Sequence, residues 1–440
     1  MSNKHATAGL IRALACAVVA LMLAACGGGG GTKNTVTSTG GTTGTGDTVT
    51  TTVATPVAMQ YLASDPTVIY AAGSPGVTRS GVSFRVLDAL GQPIAGISVQ
   101  LQLLDTTSGA SLQNAAGDGT LRLVSDAEGR VTAGVLAGTV PGVIRVRASV
   151  VNLALVTAVS QELTVAVGRP VQRAMSLSRS VQNIEGDTLD GNETILSIAL
   201  ADRNGNPVPD GTRVNFVSDV GVLTPASCLT TEGTSRCSVT LRAQGTRNAN
   251  GRVTIVAYTP GEEDFTDLNG NSRWDAGETF TDLGQAFRDD NANNTYDPGE
   301  FFVPRTGAST CAGGLLGRPN TCDGTWGEAD LRAQTVVVFS TTFANFGTRT
   351  GSAAQGFIRF TIADRKGNNM PFGSAITVAV RPPSTGTSAC RAETFPTTIS
   401  NQLEPTEVLV RLFECSAIDS LDVSIRTPNG SQTSDGYSPD

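Results

Sequence analysis

The chain has almost no histidine. His5 is the single copy in 440 residues, and it falls in an N-terminal stretch that reads as cleavable. Without it there is no imidazole for a Ser-His-Asp relay, a Cys-His pair or a His-ligated zinc. No spacing of carboxylates, tyrosines or lysines takes its place, so the expectation is a non-enzymatic protein. Charge is also scarce, at 16% of residues, and aromatics make up 5%. A disordered chain would carry more charge and fewer aliphatic side chains than the 39% hydrophobic fraction here. The net charge of −8 and pI near 4.9 exclude nucleic acid as a natural partner. The apolar run Ala13–Ala25 falls short of the roughly 20 residues that span a bilayer.

What is abundant is glycine, 50 residues, together with Thr, Val and Ser. These residues favour strands and turns over helices, which predicts an acidic all-β protein with room for roughly three domains.

The N-terminus gives an address. Lys4 and Arg12 precede the apolar run, which ends Leu23-Ala24-Ala25-Cys26. A basic start, a short apolar stretch and small residues are the pattern of a signal peptide. The cysteine at its end resembles a bacterial lipobox. That resemblance implies cleavage after residue 25, lipid on Cys26 and an outer-membrane lipid anchor, with Gly27 favouring that membrane and the cell surface as destination; a periplasmic face is the alternative. Residues 26–56, beginning with Gly27–Gly31, hold too little apolar surface to offset their ordering entropy and read as a tether.

Beyond the tether one unit recurs. Val82-Ser-Phe84-Arg-Val86 leads through Asp88-Ala-Leu-Gly91-Gln92-Pro93 to Ile97-Ser-Val99-Gln-Leu101. Leu196-Ser-Ile198-Ala-Leu200 leads through Asp202-Arg-Asn-Gly205-Asn206 to Val214-Asn-Phe216. Ile358-Arg-Phe360-Thr-Ile362 leads through Asp364-Arg-Lys-Gly367-Asn368 to Ile376-Thr-Val378. Period-two alternation places one face in a core, and Asp-x-x-Gly is turn chemistry. The unit, with Asp126-Ala-Glu-Gly129 and Pro141-Gly142-Val143, resembles bacterial immunoglobulin-like domains of the intimin/invasin (Big-1) type. The resemblance implies tandem Ig-like β-sandwiches at 57–168, 169–339 and 340–440, the middle one interrupted by a loop-rich insertion at 260–333. It also implies a surface-displayed adhesion or structural module with an unknown protein or glycan ligand. The alternative is a periplasm-facing scaffold or accessory subunit of an envelope or extracellular matrix assembly.

The insertion carries the most specific pattern. Asp267, Asn269, Asn271, Arg273, Asp275 and Glu278 occupy positions 1, 3, 5, 7, 9 and 12 of a loop, and Asp289, Asn291, Asn293, Thr295, Asp297 and Glu300 repeat it. This is EF-hand-type spacing, with oxygen side chains at alternate positions, a backbone carbonyl at position 7 and Glu at 12. It predicts structural calcium. Phe265 and Phe287 precede the loops by two residues, and Trp274 and Tyr296 take position 8, so the unit looks duplicated. Position 6, usually Gly, is Ser272 and Asn294. The flanks are not helical, so the loops resemble those of dockerins more than paired EF-hands. Trp326 reads as a packed aromatic of the insertion rather than a glycan platform.

Cys16 lies in the signal segment, and six cysteines remain beside Cys26. They fall as neighbours: Cys228 and Cys237, Cys311 and Cys322, Cys390 and Cys415. Sequence does not select one connectivity. Neighbour pairing within a domain or insertion is the reading taken, in an oxidising compartment.

Overall fold

A computed structural model describes residues 54–438, apart from 232, 307–309, 312, 313, 315, 316, 382 and 384–386. The signal segment 1–25, Cys26 and most of the tether lie outside the described residues. From Thr55 onward the chain forms one unit by its contacts. Among the described residues its named elements are strands, with a short 3-10 turn at Gln172–Ala174.

Three hydrophobic cores follow one another along the chain. The first gathers Phe84, Leu101, Ile144 and Leu163, the second Leu196, Leu241, Ile255 and Phe339, and the third Phe360, Ile362, Val408 and Ile425. The period-two reading accounts for them directly. In Arg79–Leu87, Glu193–Leu200 and Phe357–Asp364 every second residue is buried.

Each core lies between sheets. In the first domain, Ala58–Asp65, Arg79–Leu87, Arg130–Leu136 and Ser111–Leu112 form one sheet, in that spatial order. Leu153–Val159, Val146–Val150, Ser98–Leu103 and Leu121–Val124 form another. Leu163–Ala166 adds a third, pairing parallel to Val68–Tyr70 and antiparallel to Gly142–Ile144. The second domain sets Met175–Arg179, Glu193–Leu200, Arg236–Arg242 and Val222–Thr224 against a five-stranded sheet. That sheet is ordered Asn183–Ile184, Glu328–Phe339, Arg252–Glu262, Arg213–Ser218 and Ser227–Leu229. The third sets Ala344–Phe346, Phe357–Asp364, Thr406–Phe413 and Arg391–Phe395 against Ala375–Arg381, Ser420–Arg426 and Gln432–Tyr437.

The recurring turn does two jobs. Asp88 Oδ1 accepts the N–H groups of Leu90 and Gln92, both at 2.8 Å. Asp202 Oδ1 does the same for Asn204 and Asn206, and Asp364 Oδ1 for Lys366 and Asn368. Gly91, Gly205 and Gly367 take φ of 75°, 80° and 82°, which closes the turn at no cost to a side chain. In the second and third copies the other oxygen is also used. Asp202 Oδ2 accepts Val167 N–H, and Asp364 Oδ2 accepts Thr341 N–H, each at 2.8 Å. Val167 and Thr341 belong to the segments that enter those domains, so one carboxylate ties each turn to the linker before it. Gln182 and Asn401, Asn368 and Asn250, and Lys366 and Asp187 reinforce the second joint.

Arg252–Glu262 and Glu328–Phe339 pair along their whole length, from Arg252 opposite Val338 to Glu262 opposite Glu328. The insertion proper is therefore 263–327, narrower than the expected 260–333, because the hairpin holds its ladder to its last residue pair.

Candidate functional site: a duplicated acidic loop

Each half of the insertion is pinched at a neck and opens into a loop. Phe265 bridges Phe280, and Phe287 bridges Phe302. Flanking backbone bonds repeat between copies: Thr266 N–H to Thr279 O and Thr281 N–H to Asp264 O in the first, Arg288 N–H to Phe301 O and Val303 N–H to Ala286 O in the second. A pair of extended residues thus replaces the helices that flank an EF-hand loop. The aromatic at position 8 closes each neck. Trp274 meets Phe280 edge-on at 6.2 Å, and Tyr296 meets Phe302 edge-on at 6.0 Å.

Inside the loops the bonding matches at most positions, the bond from Gly270 to Asp267 being an exception. Asp267 accepts the N–H groups of Gly270, Asn271 and Ser272, and Asp289 those of Asn293 and Asn294. The side-chain oxygen at position 5 accepts the N–H of position 7, from Arg273 to Asn271 and from Thr295 to Asn293, both at 2.8 Å. Glu278 takes the N–H groups of Leu268 and Asp275, and Glu300 those of Asp290 and Asp297. Position 6 is left-handed in both, with φ 58° at Ser272 and 64° at Asn294. The turn that glycine normally makes is therefore made without it, held by the Asp at position 1.

The donor set suits a hard cation. Asp275 Oδ2 receives the Nδ2 of both Asn269 and Asn271, at 2.8 and 2.6 Å, and Asp297 receives those of Asn291 and Asn293. The Asn269 amide, then that of Asn271, holds the Asp275 carboxyl below its ordinary range. Each of these carboxylates accepts two neutral amide N–H groups. Calcium requires six to eight oxygens at such a place, and the aspartates, asparagines and glutamate of each loop offer them.

The loops differ in their surroundings. Asp267 is exposed, whereas Asp289 is 1% exposed. The first loop leans on Trp326, which stacks on Trp274 at 5.6 Å with 12° between planes, meets Phe265 edge-on and donates its indole N–H to Glu263 O. This is the packed role expected of Trp326. The second loop is braced by Arg318, whose guanidinium lies 4.6 Å from the rings of both Tyr296 and Phe302.

Sequence reasoning missed one acidic group. Glu263, Asp282 and Asp323 bring a carboxylate oxygen each to within 4.8 Å of one another. Glu263 is buried and accepts Leu283 and Gly327 N–H groups. Burial, and secondarily the charges of Asp282 and Asp323, push its pKa up to about 7. The three come from separate turns, so no spacing announces them. The only local signal is that each acid lies within three residues of an aromatic or a cysteine.

The six cysteines are joined neighbour to neighbour, as Cys228–Cys237, Cys311–Cys322 and Cys390–Cys415. The second bridge lies within the insertion and holds Cys322 beside Asp282 O.

No protein-family model and no curated protein matches the chain. Among solved structures it is similar to InvD of Yersinia pseudotuberculosis, with 15% identity over 86% of this chain and 97% of that one and a TM-score of 0.27. It is likewise similar to the Escherichia coli adhesin FdeC, with 14% identity over 86% and 96% and a TM-score of 0.27. A third is invasin, described as a bacterial integrin-binding protein, with 15% identity over 86% of this chain and 59% of that one and a TM-score of 0.23. These neighbours are immunoglobulin-like adhesin domains of the intimin/invasin type.

Proposed function

We propose that this chain is a non-enzymatic, adhesin-like envelope protein, anchored through lipid on Cys26, whose sandwiches display the 263–327 insertion to a protein or glycan partner. The observation that carries the reading is the placement of the insertion. It leaves from the end of a hairpin whose ladder runs unbroken to Glu262 and Glu328, on a domain tied to its neighbours by Asp202 and Asp364. Binding elements belong on loops held by such a scaffold. Calcium in the two loops would replace Asn N–H groups as the partner of Asp275 and Asp297, and so fix the shape of what is displayed.

The test is antibody labelling of intact cells against residues 55–440, with permeabilised cells as control and a Cys26→Ser chain as the anchor control. Labelling of intact cells that disappears in the Cys26→Ser strain is expected. Labelling only after permeabilisation would overturn surface display and point to a periplasmic scaffold.

A further inference from the structure

The two loops share their residues at positions 1, 3, 5, 9, 11 and 12, but they do not face the same charges. Arg332, on Glu328–Phe339, is only 6% exposed and lies with its guanidinium 4.0 Å from the Phe287 ring. Its Nη2 reaches Gln334 Oε1 at 3.4 Å, and that same oxygen accepts the N–H of Asp289 at 2.9 Å. Gln334 Nε2 returns to Asp289 O, also at 2.9 Å. Arg332 and the first acid of the second loop are thus joined through one side chain. They also line a common groove of about 440 Å³. Arg332 Nη1 has no hydrogen-bond partner, and no ion pair within 4.0 Å involves Arg332 among the described residues. A buried guanidinium left in this state is costly unless nearby charge holds it. Burial pushes the Arg332 pKa down, and the charges of Asp289 and Glu300, positions 1 and 12 of the second loop, oppose that only in part.

The first loop has a counterpart that is already neutralised. Arg203 lies 4.6 Å from the Phe265 ring but is paired with Glu262 at 3.2 Å. Its charge is spent on Glu262, and Asp267 stands in solvent.

We propose that Arg332 is the built-in counter-cation of the second loop, so that the first loop binds calcium tightly and the second weakly. The proposal rests on the calcium reading above. A dication entering the second loop meets a buried, fixed positive charge, whereas the first loop's own cation, Arg273, is exposed, and in the partly buried setting the repulsion is weakly screened.

The chain carries its own reporters. Its two tryptophans, Trp274 and Trp326, both lie at the first loop, while position 8 of the second is Tyr296. The full chain, freed of divalent ions, is titrated with calcium by calorimetry and by tryptophan emission in parallel. Two phases at least tenfold apart are expected, with the tryptophan change complete in the tighter one. Asp267→Asn with Glu278→Gln should abolish the tight phase, and Asp289→Asn with Glu300→Gln only the weak one. Arg332→Met should tighten the weak phase at least tenfold. Should that variant fail to fold, the two carboxylate pairs decide alone. Equal affinities, or a tight phase that survives loss of Asp267 and Glu278, would overturn the role of Arg332 and leave calcium binding standing. No calcium uptake by the wild-type chain would overturn both.

Discussion

Glu263 shows how one residue records the cost of building the insertion. Its carboxylate is buried beside Asp282 and Asp323, and burial raises its pKa from 4.5 to about 7. Below pH 4.5 the group is protonated whether the chain is folded or not, and burial carries no charge penalty. As pH rises from 4.5 to about 7 the unfolded chain loses that proton while the folded chain keeps it, so stability falls across this window and is flat above it. The loss from this group alone is about 3 kcal/mol. Other acids, among them Glu262, Asp330 and Asp364, are also raised by burial and add slopes of the same sign. The comparison of wild type with Glu263→Gln isolates the single contribution. In thermal unfolding with chelator present, the difference between the two should change steadily from pH 4.5 to 7 and be constant outside that range. A difference that does not vary with pH would mean that the Glu263 pKa is the same in the folded and unfolded chain.

At the scale of elements, the strand–turn–strand unit was legible in the sequence, because period-two alternation and Asp-x-x-Gly are local. The second use of the Asp was not legible, since Val167 and Thr341 lie 35 and 23 residues before their acceptors. The loops divide in the same way. The positions of Asp267 through Glu278 can be read from spacing, and the left-handed Ser272 fits the loop although serine is a poor choice there. The Glu263–Asp282–Asp323 group and Arg332 cannot be read, because folding of the necks, not spacing, brings them to their partners. The parallel pairing of Val68–Tyr70 with Leu163–Ala166 likewise joins segments far apart in the chain. The joint itself can be tested. Asp202→Ala and Asp364→Ala should each cost about 1–3 kcal/mol by leaving buried N–H groups unpaired. They should also speed amide exchange at Val167 and Thr341 respectively. Asp88→Ala, which makes only turn bonds, should leave exchange at both linker amides unchanged. Fast exchange at Thr341 in the wild-type chain would contradict the joint.

At the scale of the molecule, three sandwiches in series carry one elaborated feature, and in the proposed function recognition falls to that feature and support to the rest. The hairpin permits a clean separation of the two. Glu262 and Glu328 are cross-strand partners, so residues 263–327 can be replaced by a two-residue Asn-Gly turn without changing the register of the sheet. The decisive measurement is adhesion of cells displaying the excised chain, compared with cells displaying the intact one at equal surface amounts. Purified protein would be checked for an unchanged strand circular dichroism spectrum. The excised chain is expected to keep its β structure and to lose adhesion to the level of a deletion strain. Full adhesion by a folded chain without the insertion would contradict this, and would place recognition on the sandwiches themselves.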